Sequence, residues 1–452
     1  MVSLSDAAAK ICKERQSRSN LEDDITKEGW AILDFKKHTI ALSPVVKNFP
    51  PNAQLCFMRD STPSSSFRSF LTDDLIMQVL NRNKDARSGY GTVSDGKGYL
   101  IQRIINLQTI LQYLACRVLI QGYQYKHTGG SKETFAEMKN YLAAKCNAGG
   151  KMCGVSKLVI CHSLFFISEQ DEIDKLFENI LKSVLVPGQV SCADEKLFRF
   201  TGKHAFVRKV PNKPAKVGLW FYQTVLMLEG ELPYLVYSRL HDSDKTIQKT
   251  VKTTEIIQDW MTLSHKFKNQ TIVVMDSYYM TKDGATVVEK NAGHVIAALQ
   301  PNRFSKIFKF MDENVKQAGD LCILYKETTK ETMVLYHNKK SEIGKKLVYS
   351  NCHTKIDNQK PPKHHVPVYD HYGQAFGHCD KFNKAIASKN FPFRVGGGRR
   401  TGPEASIMDY IVVSLLMTSY HAYLYTQKKK PKEYPFRSFT EDLAVELVED
   451  TM

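Results

Sequence analysis

The chain has 452 residues, of which 42% are hydrophobic, and 63 Lys and Arg against 47 Asp and Glu give it a net charge of +16. This length predicts roughly three domains of about 150 residues each. The charge favours a polyanionic partner, nucleic acid ahead of a membrane surface. The 10 cysteines include no CxxC pair, which argues against a zinc ribbon or finger, and no secretory leader is recognised, so reduced thiols are expected.

The first part of the chain is predicted to be mainly helical. Residues 1–65 lack strong periodicity and end in Pro and Ser clusters, so we expect a flexible N-terminal arm. Thr72 is a capping residue followed by two acids, which indicates a helix start. Further helices are expected over residues 99–123, 134–146 and 171–184. The apolar stretches 99–123 and 406–425 are too polar for a membrane span, so no membrane contact is expected.

Strand signals begin after residue 188. Strands are predicted over residues 190–200, 217–228, 232–240, 269–275 and 294–299, and helices over residues 253–265 and 282–291. Asp194 lies within the first of these strands, and Asp276 directly follows the fourth. Glu229-Gly230-Glu231 joins the second and third strands and is a hairpin signal. The order strand, strand, strand, helix, strand, helix, strand is the order that an α/β ribonuclease-H-like core requires.

The remainder of the chain is predicted to contain a small β-rich insertion at residues 303–365 and a return to helices. Within the insertion, short strands are expected over residues 321–326, 331–337 and 346–350. Helices are expected over residues 376–388, 406–425 and 439–449. The basic run at residues 428–432 fits a nuclear-import signal, and equally a basic helix end with its stop signal.

Three isolated aspartates, Asp194, Asp276 and Asp380, stand near the ends of predicted elements in this basic chain. Hard Mg²⁺ prefers carboxylate oxygens and leaves positions open for water and phosphate. Two divalent ions about 4 Å apart can activate an attacking oxygen and stabilise a leaving one. We therefore predict that the three aspartates hold two Mg²⁺ ions, with Mn²⁺ as an alternative. Asp194 is expected to bridge the ions because it lies mid-strand.

Four segments carry a resemblance to a known family. Asp194-Glu195 precedes Phe200-Thr-Gly-Lys and Val210-Pro-Asn-Lys-Pro-Ala-Lys-Val-Gly, and Asp276-Ser-Tyr-Tyr-Met-Thr follows later. Lys345-Lys-Leu-Val-Tyr-Ser-Asn then precedes Tyr369-Asp-His-Tyr and Phe376-Gly-His-Cys-Asp-Lys-Phe-Asn. In this order they resemble the motifs of the piggyBac transposases, a DDE-type family. The resemblance covers residues 67–448.

The resemblance implies a ribonuclease-H-like catalytic domain formed by residues 189–302 and 366–389, with residues 303–365 inserted between them. It implies that residues 66–188 and 390–452 form a flanking α-helical domain for dimerisation and DNA binding. It also implies a nuclear homodimer that acts on double-stranded DNA, both transposon ends and target. The implied activity is cut-and-paste transposition into TTAA sites through hairpin-ended intermediates.

The chain departs from the family at three places. The Trp that usually follows the helix of the third aspartate is missing, and Asn390-Phe-Pro-Phe-Arg and a Gly-rich segment at residues 396–400 stand in its place. Asn383 stands where the family has a fourth acid, and its amide oxygen could bind a metal without bringing charge. The cysteine-rich zinc module that the family often carries at its C-terminus is not found, so no zinc is expected. Two alternatives to an active transposase therefore stay open: a domesticated, transposase-derived DNA-binding protein without turnover, and a metal-dependent nuclease.

Basic side chains in three places are predicted to contact DNA. The first group follows Asp194 and would position phosphates without reading the base sequence, unless it forms a solvated edge hairpin. The second lies at the exit of a core strand, and the third lies in a Gly-rich segment that could wrap a phosphate or serve as a connector. The predicted DNA-binding residues are Lys203, Arg208, Lys209, Lys213, Lys216, Arg303, Lys306, Arg399 and Arg400.

Overall fold

Two structural units divide the chain, and each draws on three stretches of sequence. The first comprises Met1–Asn52, Pro187–Asp194 and Lys249–His378, and the second comprises Ala53–Val186, Glu195–Gln248 and Cys379–Met452. The computed structural model describes residues 21–33, 38–57, 61–88, 105–123, 131–146, 152–200, 207–210, 216–241, 267–291, 293–337, 344–357, 367–389 and 403–450.

The helices and strands of the described residues are numbered in chain order. The helices are α1 (Pro44–Lys47), α2 (Pro63–Phe70), α3 (Asp73–Ser88), α4 (Leu107–Tyr123), α5 (Ser131–Lys145), α6 (Val155–Leu164), α7 (Gln170–Lys182), α8 (Lys282–Asn291), α9 (Ser305–Asn314), α10 (Pro367–Lys389), α11 (Pro403–Gln427) and α12 (Phe436–Glu449). The strands are β1 (Ala31–Ile32), β2 (His38–Leu42), β3 (Gln54–Leu55), β4 (Val184–Val186), β5 (Val190–Arg199), β6 (Val207–Lys209), β7 (Val217–Leu228), β8 (Leu232–Leu240), β9 (Ile272–Met275), β10 (His294–Ala298), β11 (Leu321–Lys326), β12 (Glu331–His337), β13 (Lys345–Ser350) and β14 (His353–Asp357).

The sheet of the first unit grows outward from parallel strands. The first half of β5 pairs in parallel with β9, and β9 pairs in parallel with β10. Antiparallel pairing then joins β10 to β13, β13 to β12, β12 to β11 and β11 to β1. Apolar side chains of the sheet and of α10, among them Val274, Ile296, Val348 and Ala375, form one buried cluster. This cluster fixes α10 against the strands that carry the first two aspartates.

The segment predicted as an N-terminal arm forms secondary structure over its described part. β1 pairs with β11, and β2 pairs with β14. Trp30 and Val46 are buried. Over residues 21–33, 38–57 and 61–65 the structure therefore differs from the flexible arm expected for residues 1–65. The sequence signal was weak here because two short edge strands gain their hydrogen bonds from partners roughly 300 residues away, which no local periodicity reveals.

The segment predicted as a β-rich insertion extends the sheet of the first unit. β11 and β12 have the predicted bounds, and β13 begins one residue earlier than predicted. β13 pairs with β10 through Ile296↔Ser350 to Ala298↔Val348, so the strands are continuous with the core sheet. α9 and β14 lie in the same segment and were not predicted. The pattern of apolar residues therefore predicts the positions of most strands, but it does not predict which strands pair with each other.

The second unit combines helices from both flanks of the chain with a β-hairpin. α7 packs on β8, and its buried residues Ile173, Leu176, Phe177 and Ile180 lie on one helix face. α11 contacts α2 and β8, and α12 contacts α4 and α2. Residues 53–186 and 379–452, far apart in the sequence, thus belong to one unit. Among the described residues, no helix is long and apolar enough to cross a membrane.

The hairpin of β7 and β8 has the bounds that the sequence predicts. Gly230 and Glu231 in its turn have φ values of 80° and 59°. Positive φ at two successive turn residues produces the backbone twist that suits a two-stranded antiparallel ribbon. Tyr410 of α11 anchors the hairpin, because its hydroxyl accepts from Gln223 Nε2 at 2.8 Å and its ring stacks on Phe221 at 3.8 Å between centroids.

Candidate active site

Two of the predicted site residues emerge from neighbouring strands of the first unit. β5 and β9 run in parallel from Val190↔Ile272 to Ala193↔Met275, so Asp194 and Asp276 are the next residues in register. Side chains at matching positions of adjacent strands point to the same face of a sheet. Asp194 is buried, whereas Asp276 is half-buried. The sheet therefore presents both carboxylates at one edge, with the Asp276 carboxylate nearer to solvent.

Tyr372 of α10 lies within electrostatic reach of both carboxylates. Burial is the main cause of the raised pKa of the Tyr372 phenol, and the negative charges of Asp276 and Asp194 raise it further. Tyr372 is 2% exposed, and its hydroxyl has no hydrogen-bond partner among the described residues. A buried hydroxyl without a partner costs free energy in the folded state. It is a feature that the sequence motifs did not reveal.

Lys346 of β13 contributes a positive charge to the same place. Its ammonium lies 4.1 Å from the centroid of the Tyr372 ring, a cation–π contact. Burial lowers the pKa of Lys346, and the nearby Asp276 carboxylate opposes that shift. The carboxylate edge thus has one cation and one phenol packed beside it. Sequence reasoning placed both residues in family motifs but gave neither a role.

The turn that follows Asp276 is held by Arg303. The Arg303 guanidinium donates to the carbonyl of Tyr278 at 2.7 Å and to the carbonyls of Ser277 and Met280 at 3.4 Å. The amide of Ser277 donates to Asp276 Oδ1, and the amide of Tyr279 donates to the Asp276 carbonyl. Arg303 was predicted as a DNA contact. In this structure its Nη1 atom donates to the backbone beside Asp276, and the DNA contact stays a prediction.

Asp380 and Asn383 lie on the part of α10 that belongs to the second unit. Asp380 is exposed, and Asn383 is half-buried. The Oδ1 atom of Asn383 is buried and accepts no hydrogen bond from any described residue. Within the described residues, no three His, Cys, Asp or Glu side chains are grouped closely enough to hold a metal ion. That Asp380 joins Asp194 and Asp276, and that Asn383 is a further ligand, stay predictions.

The basic residues predicted after Asp194 are described in part. Arg208 on β6 donates to His241 Nε2 at 3.0 Å, and Tyr222 Oη lies 2.7 Å from His241 Nδ1. Because a guanidinium cannot accept, His241 Nε2 must be the acceptor. Lys209 and Lys216 are exposed and available to a phosphate. Lys203 and Lys213 lie outside the described residues.

The two other predicted DNA-binding groups are also known in part. Lys306 is 67% exposed at its side chain and lies 3.5 Å from Asp24. An exposed ion pair of this kind contributes about 0–1 kcal/mol, so Lys306 can exchange Asp24 for a phosphate at little cost. Arg399 and Arg400 lie outside the described residues. Together with Lys209 and Lys216, Lys306 is one of the exposed cations that the structure describes.

Comparison with known proteins finds one family model. The family described as Transposase IS4 matches residues 169–396, about half of the chain. Asp194, Asp276 and Asp380 all fall within the matched residues. No curated protein matches the sequence significantly. Eight chains among solved structures do match.

One of the matching structures is a piggyBac transposase synaptic complex with hairpin DNA, determined by cryo-EM. The two chains are 13% identical, with a TM-score of 0.66, and the match covers 88% of this chain and 83% of that one. At this level of identity the likeness concerns the fold. It extends over both structural units rather than over the core sheet alone.

Proposed function

Because the chain belongs to the Transposase IS4 family of DDE transposases, we propose that it cleaves DNA strands and transfers the freed ends to a new site. The family membership confirms the predicted resemblance to DDE transposases, a class of polynucleotidyl transferases. The observation that carries the proposed chemistry is the register of β5 and β9, which brings Asp194 and Asp276 to one sheet edge. Paired carboxylates at such an edge suit metal-assisted reactions of phosphodiesters.

The catalytic core of this proposal is ribonuclease-H-like. The support is the succession of β5, β7 and β8, with β7 and β8 antiparallel, followed by β9 and β10 in parallel with the first half of β5. The crossover from β9 to β10 contains α8, as parallel strands require a long connection. The two aspartates then stand on the central strand and on its parallel neighbour.

Asp194 and Asp276 fit the divalent ions that the family implies, since ionised carboxylates offer only acceptor oxygens and suit hard cations. We propose Asp380 as the third ligand, Asn383 as a neutral additional one, and two Mg²⁺ ions, with Mn²⁺ as an alternative. Bound there, such ions supply activation of the attacking oxygen and charge stabilisation of the leaving one. Asp194, the most enclosed of the three, is the proposed shared ligand.

The side chains around the two carboxylates prepare the site before DNA arrives. Lys346 places a positive charge near the Asp276 carboxylate and offsets part of its negative charge. Tyr372 and the apolar residues of α10 exclude water from the Asp194 side of the edge. Arg303 fixes the backbone after Asp276, so the carboxylate keeps one orientation.

The proposed substrate is double-stranded DNA, both transposon ends and target. The net charge of +16 and the exposed Lys209, Lys216 and Lys306 support it, and the piggyBac structure of the same fold is a complex with hairpin DNA. Cut-and-paste movement into TTAA sites, a homodimer, and nuclear import through residues 428–432 complete the proposal by resemblance. The residues of that basic run are exposed.

The test uses purified protein, Mg²⁺ and DNA that carries the terminal repeats flanking its own gene. Nicks with 3′-hydroxyl ends, hairpins and joining at TTAA are expected, and Asp194→Asn or Asp276→Asn should abolish all three. Asp24→Asn, which removes an exposed carboxylate elsewhere in the first unit, is the matched control and should retain activity. Binding without nicking would favour the domesticated DNA-binding protein, and cleavage without joining would favour the nuclease.

A further inference from the structure

Tyr278 exposes a large aromatic side chain two residues after Asp276. It is 47% exposed, whereas the adjacent Tyr279 and Met280 are buried. The other large apolar side chains that stand exposed among the described residues are Ile32, Val45 and Leu185, none of which is aromatic. Scattered exposed apolar residues are ordinary, so exposure by itself assigns no role to Tyr278. Tyr278 differs from the other exposed apolar residues because it lies two residues after a proposed metal ligand and because neighbouring side chains hold its ring.

The Tyr278 ring is held by the structure on which the catalytic edge is built. Tyr279 is 0% exposed, and its ring meets that of Tyr278 edge-on, at 5.2 Å between centroids and 87° between planes. The Arg303 guanidinium donates to the Tyr278 carbonyl at 2.7 Å and lies 5.9 Å from the centroid of the Tyr278 ring. The aromatic side chain is therefore ordered before any ligand binds, so little conformational entropy is lost on binding.

We propose that Tyr278 is a stacking platform for an unpaired base of the DNA strand whose phosphate lies at Asp194 and Asp276. This inference rests on the proposed function and adds a subsite to it. Strand cleavage leaves a nucleotide whose base has lost its stacked or paired neighbour. An aromatic face replaces that stacking for any base, because each base has a π-face. Arg303 holds this platform in place through its hydrogen bond to the Tyr278 carbonyl.

The experiment is a double substitution, one in the protein and one in the DNA. The first probe is a labelled duplex with a two-nucleotide unpaired 3′ extension. The second probe is the same duplex with an abasic site at the unpaired position next to the paired region. Binding is followed by anisotropy without added Mg²⁺, so that the DNA stays intact. The wild type should bind the extended duplex roughly tenfold or more tightly than the abasic one, as loss of one base–aromatic stack implies.

Tyr278→Ala should bind both duplexes equally, since without the ring the base has nothing to stack on. Tyr278→Phe keeps the ring and should retain the preference. Ile32→Ala, which also shortens an exposed apolar side chain of the first unit, is the matched control and should behave as the wild type. Retention of the full preference by Tyr278→Ala, or no preference in the wild type, overturns the platform.

Nicking in Mg²⁺, measured on the same preparations, separates this inference from the proposed function. If the wild type nicks DNA while Tyr278→Ala keeps the base preference, the platform alone is overturned. If the wild type does not nick DNA but shows a base preference that Tyr278→Ala lacks, the platform stands and the transposase activity is overturned.

Discussion

We expect Arg303 to affect the reaction through the turn that follows Asp276 rather than through a contact with DNA. Its Nη1 atom donates to the carbonyls of Ser277, Tyr278 and Met280 in the turn after Asp276, and a lysine ammonium ends one bond short of that position. For Arg303→Lys we expect DNA nicking to slow by about tenfold or more, as small displacements of catalytic groups do. DNA affinity and its salt dependence should stay as in the wild type.

Lys306→Met provides the contrast at a neighbouring exposed position. We expect it to weaken DNA binding evenly across sequences and to lower the salt slope by about one counterion, with the nicking rate of bound DNA unchanged. Single-turnover nicking and anisotropy titrations at several salt concentrations measure both effects. If Arg303→Lys instead behaves like Lys306→Met, Arg303 is a phosphate contact and the turn does not depend on it.

Asp194 and Asp276 could be singled out from the sequence, because an acid that follows a short apolar run is a local signal. Lys346 and Tyr372 could not be assigned in the same way. Each belongs to an element distant in sequence from Asp194 and Asp276, and only the packing of β13 and α10 on the sheet brings them near. The sequence marks Arg303 as a cation, but its acceptors are backbone carbonyls. Every residue has such a carbonyl, so the sequence cannot show which ones accept from Arg303.

Among the elements, those with strong local signals were predicted best. The β7–β8 hairpin and α8 have the predicted bounds, since turn residues or helical spacing mark them. α6 was missed because Cys161, Leu164 and their neighbours are apolar without a clear polar face, so the amphipathic pattern is weak. α9 is amphipathic, but it lies in a segment where strands were expected. Strand partners such as β2 and β14 depend on the whole fold.

Gly218, the last residue of the block that starts at Val210, leads to a prediction about strand packing. It is the second residue of β7 and lies close to β5, where an added Cβ atom would be 2.1 Å from the carbonyl oxygen of Phe198. Backbone cannot give way as a flexible side chain can, so Gly218→Ala should force the strands apart. We expect a loss of about 1–3 kcal/mol in the free energy of unfolding, measured by urea denaturation.

Gly377→Ala is the matched control for that substitution. Gly377 lies within α10, and nothing lies within 4 Å of an added Cβ atom. Alanine in a helix interior is favoured over glycine by about 0.5–1 kcal/mol, so this variant should be as stable as the wild type or more so. An equal loss of stability in both variants would show that the close approach of Gly218 to Phe198 is not what requires glycine.

For the whole molecule, one buried ion pair ties together residues that are distant in the chain. Arg117 on α4 donates to Asp409 on α11, and both side chains are buried. Asp409→Asn keeps the shape but leaves a buried cation without its counterion, so we expect a loss of about 3–5 kcal/mol in urea denaturation. Glu327→Gln removes one partner of the exposed pair with Lys330 and should cost less than about 1 kcal/mol. Similar costs for the two variants would contradict this ranking.

Buried histidines predict how the stability of the protein responds to acid. Burial lowers the pKa of His162 to about 3 and that of His421 to about 4, with the positive Arg117 adding to the effect at His162. In the unfolded chain these groups take up protons below about pH 6.5. Their contribution to stability is therefore complete above that pH and is lost as the pH falls towards 4, by up to about 1.4 kcal/mol per pH unit for each.

Urea denaturation between pH 7.5 and pH 4.5 measures this loss. His162→Gln retains an acceptor for the hydroxyl of Tyr113, which lies 3.1 Å from His162 Nδ1, and should flatten the acid slope by one proton. His421→Gln retains a donor for the Pro233 carbonyl and should flatten the acid slope by the same amount. Because the two histidines have different neighbours, their effects should add, and the double variant should flatten the slope by two protons. An unchanged slope in the double variant would show that neither histidine stays neutral in the folded protein at these pH values.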